Sequence, residues 1–377
     1  MAHWTRSIFG GHSQQRLHEG TESSMGPRRR LLKHRDVYIF SVTRIGDLVS
    51  AASVFQYLST LGDMVLVVAP EAAPLVQTDP RFRRVVTVRS SIWWGWRLEV
   101  LCILLRALAA RALVINLEIY LPRARFIRRT CRRLGLEAWH LNTEAVQEAV
   151  RAAAEQRGSV ASHFAAYYTQ AVGLDAAGGK TVVLAVSETA RQRVVERLQR
   201  SGCPRGRLLI VMHAGGSPHW PAKRPPASLY ASVLREFRTD EVLFILIGTD
   251  AERALCDEII AASGEGISAL NWAGEVALDE IPALLERTAV FVGNDSGPLK
   301  IAEAVGTKTV SLWGPTSPEL VGPRGDGHRI VRHRVPCHPC YLLHCSQPVH
   351  CLGQIDPAVV VAEMRGLLRS ARVVEPR

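Results

Sequence analysis

No stretch of this chain is both long enough and clean enough of charge to read as a membrane span. The best run, residues 98–116 (LEVLCILLRALAARALVIN), holds Glu99, Arg106 and Arg111 where a span is almost charge-free. Its first part reads as a buried amphipathic helix, and ALVINL as the strand that follows. An apolar signal-peptide core is also missing. Residues 1–34 are rich in His, Gln, Ser and Gly and carry an RRR run, and they read as a flexible basic extension in which Met25 is a candidate start. Without an export signal the expected location is the cytoplasm. No helix-turn-helix, zinc-finger or RNA-binding signature accompanies the net charge of +11. That charge therefore points away from nucleic acid, toward a phosphorylated donor and acceptor or an anionic membrane surface.

What is present is a globular composition, 47% hydrophobic and 21% charged, over 377 residues, a length that accommodates two domains. Apolar β-rich runs alternate with helical patterns throughout, which predicts parallel sheets flanked by helices. In the first half the strand 37–42 leads through a loop into a helix over 48–61. MVLVVAP and ALVINL are further strands, HFAAYYTQAVGL a helix and TVVLAV a strand. SETARQRVVERLQRSG (187–202) starts on a Ser N-cap and stops at Gly202. LLIVMHA, VLFILIG and ALNWAG repeat the alternation in the second half, with helices at PASLYASVLREFR and 279–288. The expected division is a first α/β domain at 35–200, a second at 205–355, and a C-terminal helix and tail at 356–377. The last helix, near 357–370, is expected to return to the first domain.

The most specific stretch is NDSGPLKIAEAVGTKTVSLWGPTSPE, residues 294–319. It reads as a turn after a strand, a short helix, a second strand and a second loop. Ser296 and Gly297 lie where helix N-terminal N–H groups are free to hold an anion. Gly314-Pro315-Thr316 follows the next strand, so two loops at strand carboxyl ends form a cradle for a nucleotide diphosphate. A pair of ordinary βα turns is the plainer alternative. DSGP, a small-residue helix, a strand and GPTSP together resemble the donor-site signature of glycosyltransferase family 9, the ADP-heptose:lipopolysaccharide heptosyltransferases and their relatives. TRIGDLVSAASVFQYL, NLEIYLPRARFI, HAGGSPHWPAKRPP, LIGTDAE and WAGEVALDEIPALLERT match in the right order, over roughly residues 37–355. The resemblance implies an α/β GT-B fold, two Rossmann-like domains facing a central cleft, with the donor on the second domain and the acceptor on the first.

Glycosyl transfer needs a base for the acceptor hydroxyl, charge stabilisation for the departing diphosphate, and a cleft that excludes water. Asp47, in TRIGD, matches the family's catalytic Asp; by position alone it is equally an N-cap. A Lys at the position of Lys223 neutralises donor phosphate in the family, and Gly215, Gly216 and Ser217 share its loop; a solvated basic loop is the alternative. Pro225 and Pro226 replace the family's aromatic after KR. Glu252 matches the family's acidic position for ribose, with Asp250 second. Asp295 is expected to place the transferred sugar, and Ser296 and Gly297 to contact phosphate. Lys300 stands where the family often has His, which keeps a donor and fixes a positive charge. Glu118, Arg123 and Arg125 are expected on the acceptor side, with Arg128 and Arg129 near them; a solvated helix face is the alternative for the arginines. Trp93, Trp94 and Trp96 fit either a membrane interface or burial.

Four of eight cysteines, Cys337, Cys340, Cys345 and Cys351, fall within fifteen residues. Some family relatives hold a metal in such a segment, so a structural zinc or iron is one expectation, with reduced thiols and disulfides as the others. Catalysis itself is expected to need no cofactor. The expected function is an inverting heptosyltransferase-type enzyme, using ADP-heptose and an acidic glycolipid or other envelope-glycan acceptor. Peripheral association with the inner membrane and no nucleic-acid partner are expected with it. A non-catalytic sugar-nucleotide or glycan-binding protein and a nucleotide-sugar epimerase are the rivals.

Overall fold

The computed structural model describes residues 36–89, 95–155, 163–174, 184–203, 206–237 and 242–369. The extension at 1–34, Trp93, Trp94 and the tail beyond 369 lie outside these residues. So does the start of TVVLAV, whose residues 184–186 are irregular.

Two sheets carry the fold. The first contains β1 (Val37–Ser41), β2 (Met64–Val68), β3 (Phe82–Thr87), β4 (Leu113–Asn116) and β5 (Ala138–His140), in the order β3-β2-β1-β4-β5. The second contains β6 (Leu208–His213), β7 (Val242–Leu246), β8 (Ala269–Asn271), β9 (Val290–Asn294), β10 (Thr309–Leu312) and β11 (His328–Val331). Its order is β11-β10-β9-β6-β7-β8. Every neighbouring pair is parallel. Central strands such as MVLVV and VLFIL are buried along their whole length, which is why they read as continuous apolar runs and not as alternation. In each sheet the chain winds outward from its first strand and then returns to that strand's other side. Ligands bind at such reversals, beyond the carboxyl ends of the strands. The loops after β1 and β4, and after β6 and β9, are thereby marked in advance.

Helix α1 (Ile45–Ala51) follows β1 and passes through a tighter turn, Ala52–Val54, into a last helical turn, Phe55–Leu58. The single helix expected over 48–61 is interrupted because Ser50 and Ser53 donate back to the carbonyls of Gly46 (3.0 Å) and Ser50 (2.9 Å). Helices α2 (Gly95–Ala109) and α3 (Leu121–Leu134) pack on each other beside the first sheet, and α4 (Phe164–Ala171) lies against α1. Helix α5 (Glu188–Arg200) is capped by Ser187, as its sequence predicts, and packs on α6 (Ile281–Glu286) of the second domain. Arg191 pairs there with Glu286 at 2.8 Å and Arg193 with Glu280 at 2.7 Å. Helix α7 (Gly297–Ala304) packs its start against α1 across the domain boundary. A Cβ on Gly297 would lie 3.4 Å from Ile45, so the two helix starts sit close together.

Helix α8 (Pro357–Leu368) does not return to the first domain. Val360, Val361, Met364 and Leu367 share a core with Ile210, Met212, Val292 and Leu312, so its apolar face is filled by the second sheet. A separate core joins the halves, uniting Leu48, Val49 and Phe55 with Leu299, Ile301 and Ala302. Among the described residues no helix is long and apolar enough to cross a membrane.

Candidate active site

The loops beyond β1, β4, β6 and β9 meet in one cleft of about 1640 Å³ between the sheets. Asp47 enters it from the first turn of α1, with its N–H bonded to the Arg44 carbonyl at 3.0 Å. Burial lifts its carboxyl from 3.8 to about 6, against the pull of Arg44, Lys223 and Lys300 and with help from Asp295. The residues facing Asp47 from the second domain are thus near enough for their charges to act on it.

Lys223 lies beyond β6, its ammonium 2.6 Å from Asp295 and 4.8 Å from the centre of the Trp220 ring. Burial opposes ionisation of Asp295, yet Lys223, a 2.8 Å bond from Thr316 and the charge of Lys300 together hold it below the usual carboxylate range. Asn294 donates to the carbonyls of Gly215 (2.9 Å) and Lys223 (2.6 Å), which ties the β6 loop to the end of β9. Ser296 bonds His213 at 3.1 Å and begins α7, whose positive end opens on the cleft. Ser217 also lines it.

Glu252 is buried and fully engaged. It accepts from the Gly216 N–H at 2.6 Å, the Thr249 N–H at 2.7 Å and the Thr249 hydroxyl at 3.0 Å, with His213 at 3.9 Å. Burial pushes its carboxyl upward, but His213 and the two N–H groups outweigh this and hold it at about 2. The carboxylate therefore fastens the β6 loop to the β7 loop and takes up the Gly216 N–H. Asp250, the second candidate for ribose, is largely exposed. Only glycine fits at 215, since a Cβ there would lie 1.9 Å from the Glu252 carboxylate. Gly215→Ala and Glu252→Gln are both expected to loosen this junction. The amide of Gln presents a donor to one of the two N–H groups, which costs about 1–3 kcal/mol. Because folding lowers the Glu252 pKa, its stabilisation is complete above about pH 4.5 and is lost as pH falls toward 2. Melting curves over that window are expected to show a steeper acid loss in the wild type than in Glu252→Gln.

Lys300 lines the cleft, but its ammonium bonds the Val321 carbonyl and lies 3.6 Å from Glu303. It acts on Asp47 and Asp295 by charge while bracing the segment after β10. Glu118 and Arg123, expected on the acceptor side, form a buried pair at 3.0 Å. Arg123 also donates to the Val42 carbonyl at 2.5 Å and stacks on Trp96 and Tyr120, so it pins the β1 loop to the β4 loop. Burial raises the Glu118 pKa, with Arg123 and the Tyr120 N–H opposing. Arg125 points elsewhere: it pairs with Glu144 at 3.3 Å and lines a separate groove outside the cleft.

The cysteine segment walls the cleft on the side of the second domain. Tyr341 and Leu343 line the cleft, the Leu342 carbonyl accepts from the Trp220 indole at 2.8 Å, and His350 bonds the Ala222 carbonyl at 2.9 Å. All eight cysteines are free. Among the described residues no three His, Cys, Asp or Glu side chains are already gathered to hold a metal. Burial pushes the Cys340 and Cys351 thiols up, and the charge of the neighbouring cysteines of the segment adds to the rise. Trp220, His213 and Tyr341 are cleft-lining residues that the motifs did not single out.

Two doubly wound parallel sheets facing one cleft, with charged loops from both, define the GT-B class. The family model for glycosyltransferase family 9 (heptosyltransferase) matches residues 123–350, and the chain belongs to that family. Lipopolysaccharide heptosyltransferase 2 of Salmonella typhimurium is 30% identical over 162 residues, 42% of this chain and 47% of that one. Lipooligosaccharide heptosyltransferase 2 of Campylobacter jejuni is 26% identical over 171 residues, 45% and 53% of the two. The chain thus spans about half the length of the curated relatives it matches. Among solved structures, a family 9 glycosyl transferase from Veillonella parvula superposes with a TM-score of 0.70 at 17% identity, covering 90% of this chain and 99% of that one. E. coli ADP-heptose LPS heptosyltransferase II gives 0.65 at 19%, covering 89% and 98%. The dodecameric iron-containing heptosyltransferase TibC, in complex with ADP-D-β-D-heptose, gives 0.53 at 16%, covering 90% and 78%. At these identities the superpositions establish the fold.

Proposed function

We propose that this protein is an inverting glycosyltransferase that moves heptose from ADP-heptose to a lipopolysaccharide-core or other envelope-glycan acceptor. The observation that carries the reading is Asp47 on the first domain, raised to about 6, across one cleft from Lys223 and Asp295 on the second. Asp47 takes the proton of the acceptor hydroxyl as its oxygen bonds the anomeric carbon. The bond to the diphosphate breaks on the opposite face, and its electron pair stays with the phosphate oxygen. Lys223 and the N-terminus of α7 stabilise that charge. Asp295 orients Lys223, and the Glu252 and Asn294 bonds fix the loop that carries it. The protein acts in the cytoplasm, peripheral on the inner face of the inner membrane.

Purified protein incubated with ADP-heptose and a heptose-deficient core acceptor is expected to release ADP and extend the glycan, with the new linkage inverted. UDP- and GDP-sugars serve as comparators. Diphosphate binding without release from any donor leaves the non-catalytic reading; interconversion of the donor sugar without an acceptor leaves the epimerase.

A further inference from the structure

Helix α2 is apolar on two faces. Trp96, Val100, Ile103, Leu104 and Ala107 are buried against the first domain. Leu98, Cys102 and Leu105, spaced four and three residues apart, form an outward stripe. Leu98 is 65% exposed and Leu105 46%, with Leu108 at its edge. Beside it runs α3, LPRARFIRRTCRRL, which carries six arginines and no acidic residue. Arg123 is buried and Arg125 and Arg128 share Glu144, but Arg129, Arg132 and Arg133 are exposed with no carboxylate partner among the described residues. A groove of about 600 Å³ between the helices is lined by Arg97, Arg125, Phe126, Arg129 and Arg133. Arg97, Leu121 and Pro122 line both this groove and the central cleft, so the face adjoins the cleft's mouth.

We infer that α2 and α3 form a docking face for an anionic phospholipid bilayer: the leucine stripe enters the headgroup boundary and the arginine row meets the lipid phosphates. An exposed apolar stripe beside a basic row suits a membrane surface. A second copy of the chain is a poor occupant, because a two-fold contact would set one arginine row against another. The N-terminal extension is poor as well, with six basic and two acidic residues in positions 1–34. The inference deepens the peripheral placement proposed above and rests on it. It turns the cleft mouth toward the lipid, where a glycolipid acceptor is anchored.

Cosedimentation of the full chain with vesicles tests it. Binding is expected to phosphatidylethanolamine–phosphatidylglycerol vesicles, to weaken with salt, and to be far weaker on phosphatidylcholine. The pair Arg129→Ala and Arg133→Ala is expected to lower the partition coefficient by roughly 30-fold, the combined effect of two basic residues at an anionic surface. The pair Leu98→Ser and Leu105→Ser should lower it by about tenfold or more through lost apolar insertion, with an unchanged melting temperature because both side chains are exposed. Equal binding to both vesicle types, no binding, or wild-type partition in either double variant overturns the inference. So does self-association in ultracentrifugation that the leucine variant abolishes. Vesicle binding without sugar transfer keeps this face and sinks the enzymatic reading; transfer to detergent-solubilised acceptor without vesicle binding does the reverse.

Discussion

Replacing Asp47 by Asn is expected to lower turnover by about 10²–10⁴-fold, the range a positioned base supplies, with affinity for ADP nearly unchanged. The side chain sits on the first domain, whereas Lys223, proposed above to hold the diphosphate, sits on the second. Folding raises the Asp47 carboxyl from 3.8 to about 6, so the native state favours the protonated form. Stability contributed by this group is therefore present in acid and lost as pH rises from about 4 through 6. At neutral pH the ionised carboxylate is a burden on the fold, and Asp47→Asn should unfold later in denaturant by about 1–2 kcal/mol, discounted for partial solvent access. The same pKa sets an acid limb near pH 6 in the wild-type kcat/KM profile. Loss of rate together with gain of stability separates a base from a helix cap, because losing a cap would cost stability. Wild-type turnover in Asp47→Asn with a competent acceptor would remove the residue from the mechanism.

Much of this site was visible in the sequence because its parts are local. Apolar runs of five residues fix the strands, and the turn chemistry after β1, β6 and β9 places Asp47, Lys223 and Asp295 at carboxyl ends. The family and the GT-B fold expected from the ordered motifs are the ones found. Partners at long separation were not visible. Glu252 stands where an acidic residue was expected, yet its carboxylate is claimed by Gly216 and His213, more than thirty residues earlier in the chain. Arg123 and Arg125 read alike in sequence; two residues apart on a helix they face different ways, one into the buried pair and one to the outer groove. The apolar stripe of α8 promised burial without saying against which sheet. The tie between Trp220 and Leu342 joins segments whose residue types carry no signal of each other. The thiol spacing brought four cysteines into one segment, where they are near enough to act on one another by charge.

Lys223→Ala is expected to weaken ADP binding by roughly 1.5–3 kcal/mol, the range for hydrogen bonds to charged groups, and to lower turnover beyond that. The added kinetic loss follows from charge that accumulates on the diphosphate only as the sugar departs. The same change leaves the largely enclosed Asp295 without its 2.6 Å partner, so its pKa rises. Asp47 loses one of the cations that restrain it, so the acid limb of kcat/KM should move above its wild-type position. Lys300→Ala makes a useful contrast. Its ammonium is held by Val321 and Glu303, so it should shift the limb in the same direction with a smaller loss of ADP affinity. Salt separates the two further, because the Lys223 deficit should shrink as screening weakens the wild-type attraction. Arg129→Ala, on the outer face of α3, should leave ADP affinity as it is. Calorimetry with ADP across these three variants is the measurement, and wild-type affinity in Lys223→Ala would place the donor phosphates somewhere other than the β6 loop.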